Sequence, residues 1–197
     1  MKVSLPAGMR LATAADGVAL AELVNFAGEG LPLHLWRTLA GPDGDPWAVG
    51  AARQAAQAEK GNVVVVVEGP SVVAAMTGYP LGRELQDIPL GDELPPLVRP
   101  IIELERMVPG TWYLNVLATY PRARGRGLGS RLVEVAEACA AAEGLGGVSI
   151  IVADGNVGAR RLYERLGYRE IARAPMVKED WDNPSEEWIL LLKETAT

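Results

Sequence analysis

Residues 116–130, Val-Leu-Ala-Thr-Tyr-Pro-Arg-Ala-Arg-Gly-Arg-Gly-Leu-Gly-Ser, decide the reading of this chain. An apolar, strand-like run from Tyr113 to Ala118 breaks at Pro121 and passes through three arginines and three glycines. A helix then opens, its apolar residues Leu128, Leu132, Val135, Ala136 and Cys139 recurring at helical spacing. The pattern is that of a phosphate-binding turn. Closely spaced glycines let backbone N–H groups converge on an anion, and the helix behind them adds unpaired amides and the positive end of its dipole. Arg122, Arg124 and Arg126 offer charge-assisted hydrogen bonds to the same anion.

Two spacings compete for this turn. Gly125-Arg126-Gly127-Leu128-Gly129-Ser130 reads G-x-G-x-x-S, close to the dinucleotide fingerprint, and Asp154 ends the next apolar run where a ribose-binding carboxylate would stand. Against that reading, Pro121 and the arginines intervene between strand and glycines, and so basic a turn suits a more highly phosphorylated ligand. A P-loop is excluded because GxxxxGK[ST] is absent.

Read instead as R-x-x-G-x-G, with Arg124, Gly127 and Gly129 in the fixed places, the turn resembles the acyl-CoA-binding motif of the GCN5-related N-acetyltransferases, the GNAT superfamily. About thirty residues downstream, Asn156-Val157-Gly158-Ala159-Arg160-Arg161-Leu162-Tyr163-Glu164-Arg165-Leu166-Gly167-Tyr168 resembles that family's N-x-x-A-x-x-x-Y-x-x-x-G-[FY] segment. The resemblance covers residues 60 to 170 well and the remainder in outline.

The resemblance implies acetyl-CoA as co-substrate, no metal, and acyl transfer to an amine in a ternary complex. Backbone groups of Leu117, Ala118 and Thr119 would bond the pantetheine arm and the thioester carbonyl. Amides of Arg124, Gly125, Arg126, Gly127, Leu128, Gly129 and Ser130 would hold the pyrophosphate. Asn156 would lie beside the cofactor arm, a role compatible with a plain helix N-cap. Tyr163 matches the tyrosine that faces the cofactor sulfur, where a phenol can protonate the departing thiolate. For the general base, Glu103 and Glu105 precede the strand that carries Asn115. Tyr79, Tyr113, Trp112 and Trp36 are either pocket-lining or core residues.

At 197 residues, with 49% hydrophobic composition and no repetitive tract, the chain is expected to form one globular domain. Strand-like runs at 9–13, 63–67, 72–79, 111–118, 148–153, 169–177 and 187–193 alternate with helical patterns at 16–27, 32–39, 47–58, 128–143 and 156–166. Asp16 is expected to cap the first helix. Pro80 to Gly110, with six prolines, reads as a surface excursion with a short helix around Val98 to Met107. Hairpins at both ends and a crossover in the middle give a mixed α/β fold. In the GNAT family this is a mostly antiparallel sheet, flanked by helices, whose middle strands splay apart beside the glycine turn.

No run approaches a membrane span and no signal-peptide core is present, so a soluble, cytoplasmic protein is expected, with no membrane partner. The net charge of −6 disfavours nucleic acid and suits a cationic substrate. The single cysteine, Cys139, lies on a helical apolar stripe, and His34 is the lone histidine, which leaves no support for a disulfide framework or a metal site. Family members often dimerise, which implies a homodimer; Trp188 to Leu192 is a candidate contact or equally a core strand. The acceptor, a small-molecule or peptide amine, is not named by any segment. A non-catalytic acyl-CoA-binding module is the alternative function.

Overall fold

The computed structural model describes residues 3–91 and 94–195. Seven strands form one mixed sheet in the order β1-β2-β3-β4-β5-β7-β6, and the chain divides into two compact units, Met1–Gly78 with Val116–Val135, and Tyr79–Asn115 with Ala136–Thr197. Among the described residues no helix is long and apolar enough to cross a membrane.

The first unit contains β1 (Met9–Leu11), α1 (Gly17–Ala27), α2 (Leu31–Ala40), α3 (Pro46–Ala58), β2 (Val63–Glu68) and most of β3 (Ser71–Pro80). Val63 to Val66 are buried on both faces of β2, which is why the run is β-branched throughout rather than alternating. Gly69, at φ +57°, turns β2 into β3, and the antiparallel register runs from Val63↔Thr77 to Glu68↔Ser71 with a bulge at Val66/Val67. Leu20 and Leu23 of α1 and Ala58 of α3 complete a core with Val63, Val65, Val72 and Ala75.

Local chemistry sets the helix ends. Asp45 accepts the Trp47 N–H at 2.8 Å and Pro46 opens α3, a favoured N-terminal combination. Gly50 is required by packing, since a Cβ there would lie 2.5 Å from the Trp36 ring. Trp36 is therefore a core residue, 4% exposed. Asp16 departs from its expected role as a side-chain cap of α1. Its carboxylate instead accepts the Thr13 N–H at 2.8 Å, across a single 3-10 turn, and receives both terminal nitrogens of Arg10 at 2.7 and 2.8 Å. The two guanidinium bonds and the Thr13 bond pull its pKa down to about 2 against the opposing effect of burial.

The second unit contains α4 (Arg99–Glu105), the start of β4 (Trp112–Thr119), the end of α5 (Leu128–Ala142), β5 (Gly147–Ala153), α6 (Val157–Arg165), β6 (Arg169–Pro175) and β7 (Glu187–Glu194). β7 lies between β5 and β6, antiparallel to both, from Gly147↔Glu194 to Ala153↔Trp188 on one side. Trp188 to Leu191 are buried there, so the run considered as a dimer contact is a core strand.

The segment from Pro80 to Gly110 is less of a surface excursion than its prolines suggest. Leu81, Leu97, Leu104 and Val108 are buried, α4 packs against β5, β6 and β7, and both ends are closed by Leu81 N–H to Thr111 O and Gly110 N–H to Leu81 O. β4 and β5 run parallel and pair at Trp112↔Val148 and Tyr113↔Ser149, reinforced by the Thr111 and Ser149 hydroxyls 2.8 Å apart. Among the described residues of this unit, Leu114 and Asn115 add no further pair to β5 although both strands run on, which is the separation expected in the middle of the sheet.

Candidate active site

In the first unit, β4 runs out through half-buried Leu117, buried Ala118 and half-buried Thr119 into a 3-10 turn at Pro121–Ala123. Gly125 and Gly127 then adopt φ of +75° and +74°, and a Cβ at either would meet nothing within 4 Å. Both glycines are thus needed for their conformation, and each leaves an open approach to the backbone. Gly129 serves differently, as an ordinary second residue of α5. The first intrahelical bond of α5 runs from Arg131 N–H to Gly127 O, so the N–H groups of Leu128, Gly129 and Ser130 precede it and have no acceptor within the helix. With the helix dipole behind them, these amides are arranged as a cradle that could hold an anion.

The three arginines do not all point their charge at that cradle. Arg122 lies over the Tyr120 ring at 4.7 Å, Arg124 donates from Nε to the Thr119 carbonyl at 3.2 Å, and Arg126 pairs with Glu68 of the β2–β3 hairpin at 2.5 Å. The sequence reading missed Glu68, whose nearness to the turn depends on a contact between segments almost sixty residues apart. Tyr120, next to the turn, is fixed to α1 by a 2.6 Å bond from its hydroxyl to Glu22.

In the second unit, Asn156 is the N-cap of α6, its Oδ1 accepting the Ala159 N–H at 3.1 Å. The amide nitrogen stays available as a donor. Asp154 is not poised for a ribose. Its carboxylate accepts the backbone N–H groups of Gly155 and Glu186 at 2.8 and 3.0 Å and ties the end of β5 to the start of β7. Tyr163 is 3% exposed, its ring 5.7 Å from that of Tyr168, and burial pushes its phenol well above the ordinary range. It holds its proton at any physiological pH, as a donor must.

The two candidate bases separate cleanly. Glu103 is exposed, while Glu105, two residues further along α4 and so on a different face, is half-buried. Tyr79 and Tyr113 meet edge-to-face, with centroids 5.6 Å apart, and the charge of Glu105 adds to burial in raising both phenols. Burial raises the Glu105 carboxyl to about 7, and the neighbouring Tyr113 hydroxyl works against that rise. A carboxylate near neutrality in reach of a neutral donor is suited to taking up a proton in turnover. Trp112, 2% exposed, belongs to the core. Tyr79 and Tyr113 lie on the two strands that flank the Pro80 to Gly110 segment.

Cys139 is buried and its thiol is pushed up to about 11 by burial, which removes it as a nucleophile. No group of three or more His, Cys, Asp or Glu able to hold a metal occurs among the described residues.

Solved structures share this fold. The Drosophila melanogaster polyamine N-acetyltransferase that catalyses formation of N-acetylagmatine is similar at 20% identity and a TM-score of 0.68, over 95% of this chain and 99% of that one. A mosquito arylalkylamine N-acetyltransferase-like protein 5b is similar at 16% identity and a TM-score of 0.65, over 95% and 99%. An N-acetyltransferase from Staphylococcus aureus Mu50 is similar at 17% identity and a TM-score of 0.65, over 94% and 99%. The sequence model of the acetyltransferase (GNAT) family matches residues 33–168, a span that holds the glycine turn, Glu105 and the Asn156 to Tyr168 segment, and the chain belongs to that family.

Proposed function

We propose that the protein transfers an acetyl group from acetyl-CoA to the amine of a small molecule, amino acid derivative or peptide, by direct attack in a ternary complex in the cytoplasm. The observation that carries the donor half is the cradle at Gly125 and Gly127, where two left-handed glycines and the first amides of α5 leave backbone open to a pyrophosphate. Acetyl-CoA, when bound, supplies an activated thioester whose thiolate departs as the amide forms.

The chain's own groups then divide the remaining work. Backbone amides of Leu117 to Thr119 hold the pantetheine arm, and polarisation of the thioester carbonyl there contributes a few kcal/mol, by analogy with oxyanion holes. Glu105 takes one proton from the substrate ammonium and frees its lone pair for attack. As the amide forms, its nitrogen releases the second ammonium proton to solvent, Tyr163 gives its proton to the departing thiolate and recovers one from solvent, and Glu105 returns its proton to solvent. The net charge of −6 favours a cationic acceptor, in keeping with the polyamine and arylalkylamine names among the structural neighbours.

The test is calorimetric titration with acetyl-CoA, with NAD as control, followed by thiol release over a panel of amines. Acetyl-CoA binding with amine-dependent thiol release supports the proposal. Binding without release for any amine favours an acyl-CoA-binding module, and absence of binding removes the donor assignment.

A further inference from the structure

The β2–β3 hairpin ends beside the glycine turn, and the two are joined by separate contacts. Glu68 and Arg126 form an ion pair at 2.5 Å. The Gly8 carbonyl accepts the Val67 N–H at 2.9 Å, and the Ala7 carbonyl next to it accepts from Arg131 of α5 at 3.0 Å. Glu68 is the last residue of β2 and pairs in register with Ser71 across the Gly69-Pro70 turn, while Arg126 stands between two left-handed glycines. Both charges are therefore carried on backbone whose course is set locally.

The pair is also one that an anion can undo. The Arg126 and Glu68 side chains are 53% and 43% exposed, and ion pairs at the surface favour one arrangement over another by at most about fivefold. The planar guanidinium of Arg126 matches a phosphate as well as it matches a carboxylate, and a fork given to one is lost to the other. The turn keeps its shape without Glu68, since Gly125 and Gly127 hold its conformation and Arg124 Nε ties it to the Thr119 carbonyl at 3.2 Å.

We infer that Glu68 is an exchangeable counter-ion of the donor site: it holds Arg126 when no diphosphate does, yields it to the diphosphate of the donor, and takes it back as the product leaves. The inference rests on the reading of the turn as the acetyl-CoA cradle and adds a residue that limits affinity there. Acetyl-CoA and CoA carry the same diphosphate, so Glu68 weakens both by the same factor and hastens release of CoA. A carboxylate that only braced the turn would have the opposite effect, because its loss would weaken binding. The sign of the change separates the two roles.

The experiment is calorimetric titration of the full-length protein with acetyl-CoA and with CoA, for the unchanged chain, Glu68→Gln, Arg126→Gln and the double variant. In salt of about 0.15 M, Glu68→Gln tightens both ligands about fivefold, and in about 1 M salt by less than about twofold. Arg126→Gln weakens both ligands, and adding Glu68→Gln to it changes either affinity by no more than about twofold, because no guanidinium remains to be released. Unchanged or weaker binding in Glu68→Gln overturns the inference. So does tightening of equal size with and without Arg126, which would make Glu68 a diffuse negative charge and not the holder of Arg126. Failure of the unchanged chain to bind acetyl-CoA removes the donor assignment and this inference together, whereas either of the other two results removes the inference alone.

Discussion

Replacing Glu105 by glutamine is expected to stabilise the protein while it abolishes acetyl transfer. The Glu105 carboxyl is raised from an ordinary 4.5 to about 7. Below 4.5 the group is protonated in both folded and unfolded chains and costs nothing. As pH rises from 4.5 to 7 the unfolded chain releases the proton and the folded one does not, so stability falls; above 7 the loss is complete and constant. At 1.36 kcal/mol per pK the full loss is about 3 kcal/mol, and because Glu105 is only half-buried, solvent screening lowers the expected value to about 2 kcal/mol. Glutamine has nearly the same shape and no charge to desolvate. Urea unfolding of both proteins, without ligand, then gives a gain for Glu105→Gln of about 2 kcal/mol at pH 8 and under about 0.5 kcal/mol at pH 4.5. A difference of equal size at both pH values would refute an electrostatic origin. Glutamine less stable at pH 8 would refute the reasoning altogether.

The remaining predictions concern other parts of the chain. Asp16→Asn is expected to destabilise by about 2 kcal/mol at pH 7, because the folded carboxylate titrates at about 2 rather than 3.8, and the difference should shrink towards zero as pH falls from 4 to 2; urea unfolding across that range measures it. Gly127→Val forces a β-branched residue into φ +74° and blocks the open approach to the turn, so acetyl-CoA affinity should fall at least tenfold by calorimetry with the fold retained by circular dichroism. Tyr163→Phe should lower kcat about ten- to a hundredfold and leave the acetyl-CoA Kd within a factor of two; unchanged kcat would hand the thiolate's proton to water.

What could be read from the sequence was what is local. The strand, the turn and the helix behind it are encoded in consecutive residues, and the positions of Gly125, Gly127 and Asn156 follow from backbone conformation and capping, which neighbours decide. That Glu105 rather than Glu103 is the more buried turns on a fact that no local pattern holds, namely which face of the short α4 packs on the sheet. The engagement of Arg126 by Glu68 was equally out of reach, since it joins the turn to a distant hairpin. Asp16 failed as an expected cap because a single 3-10 turn and Arg10 redirected its carboxylate. Between Pro80 and Gly110, residues 83–89 are mostly exposed as the prolines suggest, whereas Leu81, Leu97 and Leu104 are buried, which prolines, reporting on backbone, do not signal.

The insertion of β7 between β5 and β6 sets an order of events during synthesis. Among the described residues strand β6 pairs only with β7, and each β5–β7 pair joins residues from 35 (Ala153↔Trp188) to 47 (Gly147↔Glu194) positions apart. Such distant pairings form slowly. Until Glu187 to Glu194 has left the ribosome, β6 has no strand to join and one side of β5 carries a row of unpaired amides and carbonyls. The nascent chain is therefore most exposed to chaperones and to self-association just before its seventh strand emerges, however early the glycine turn has folded.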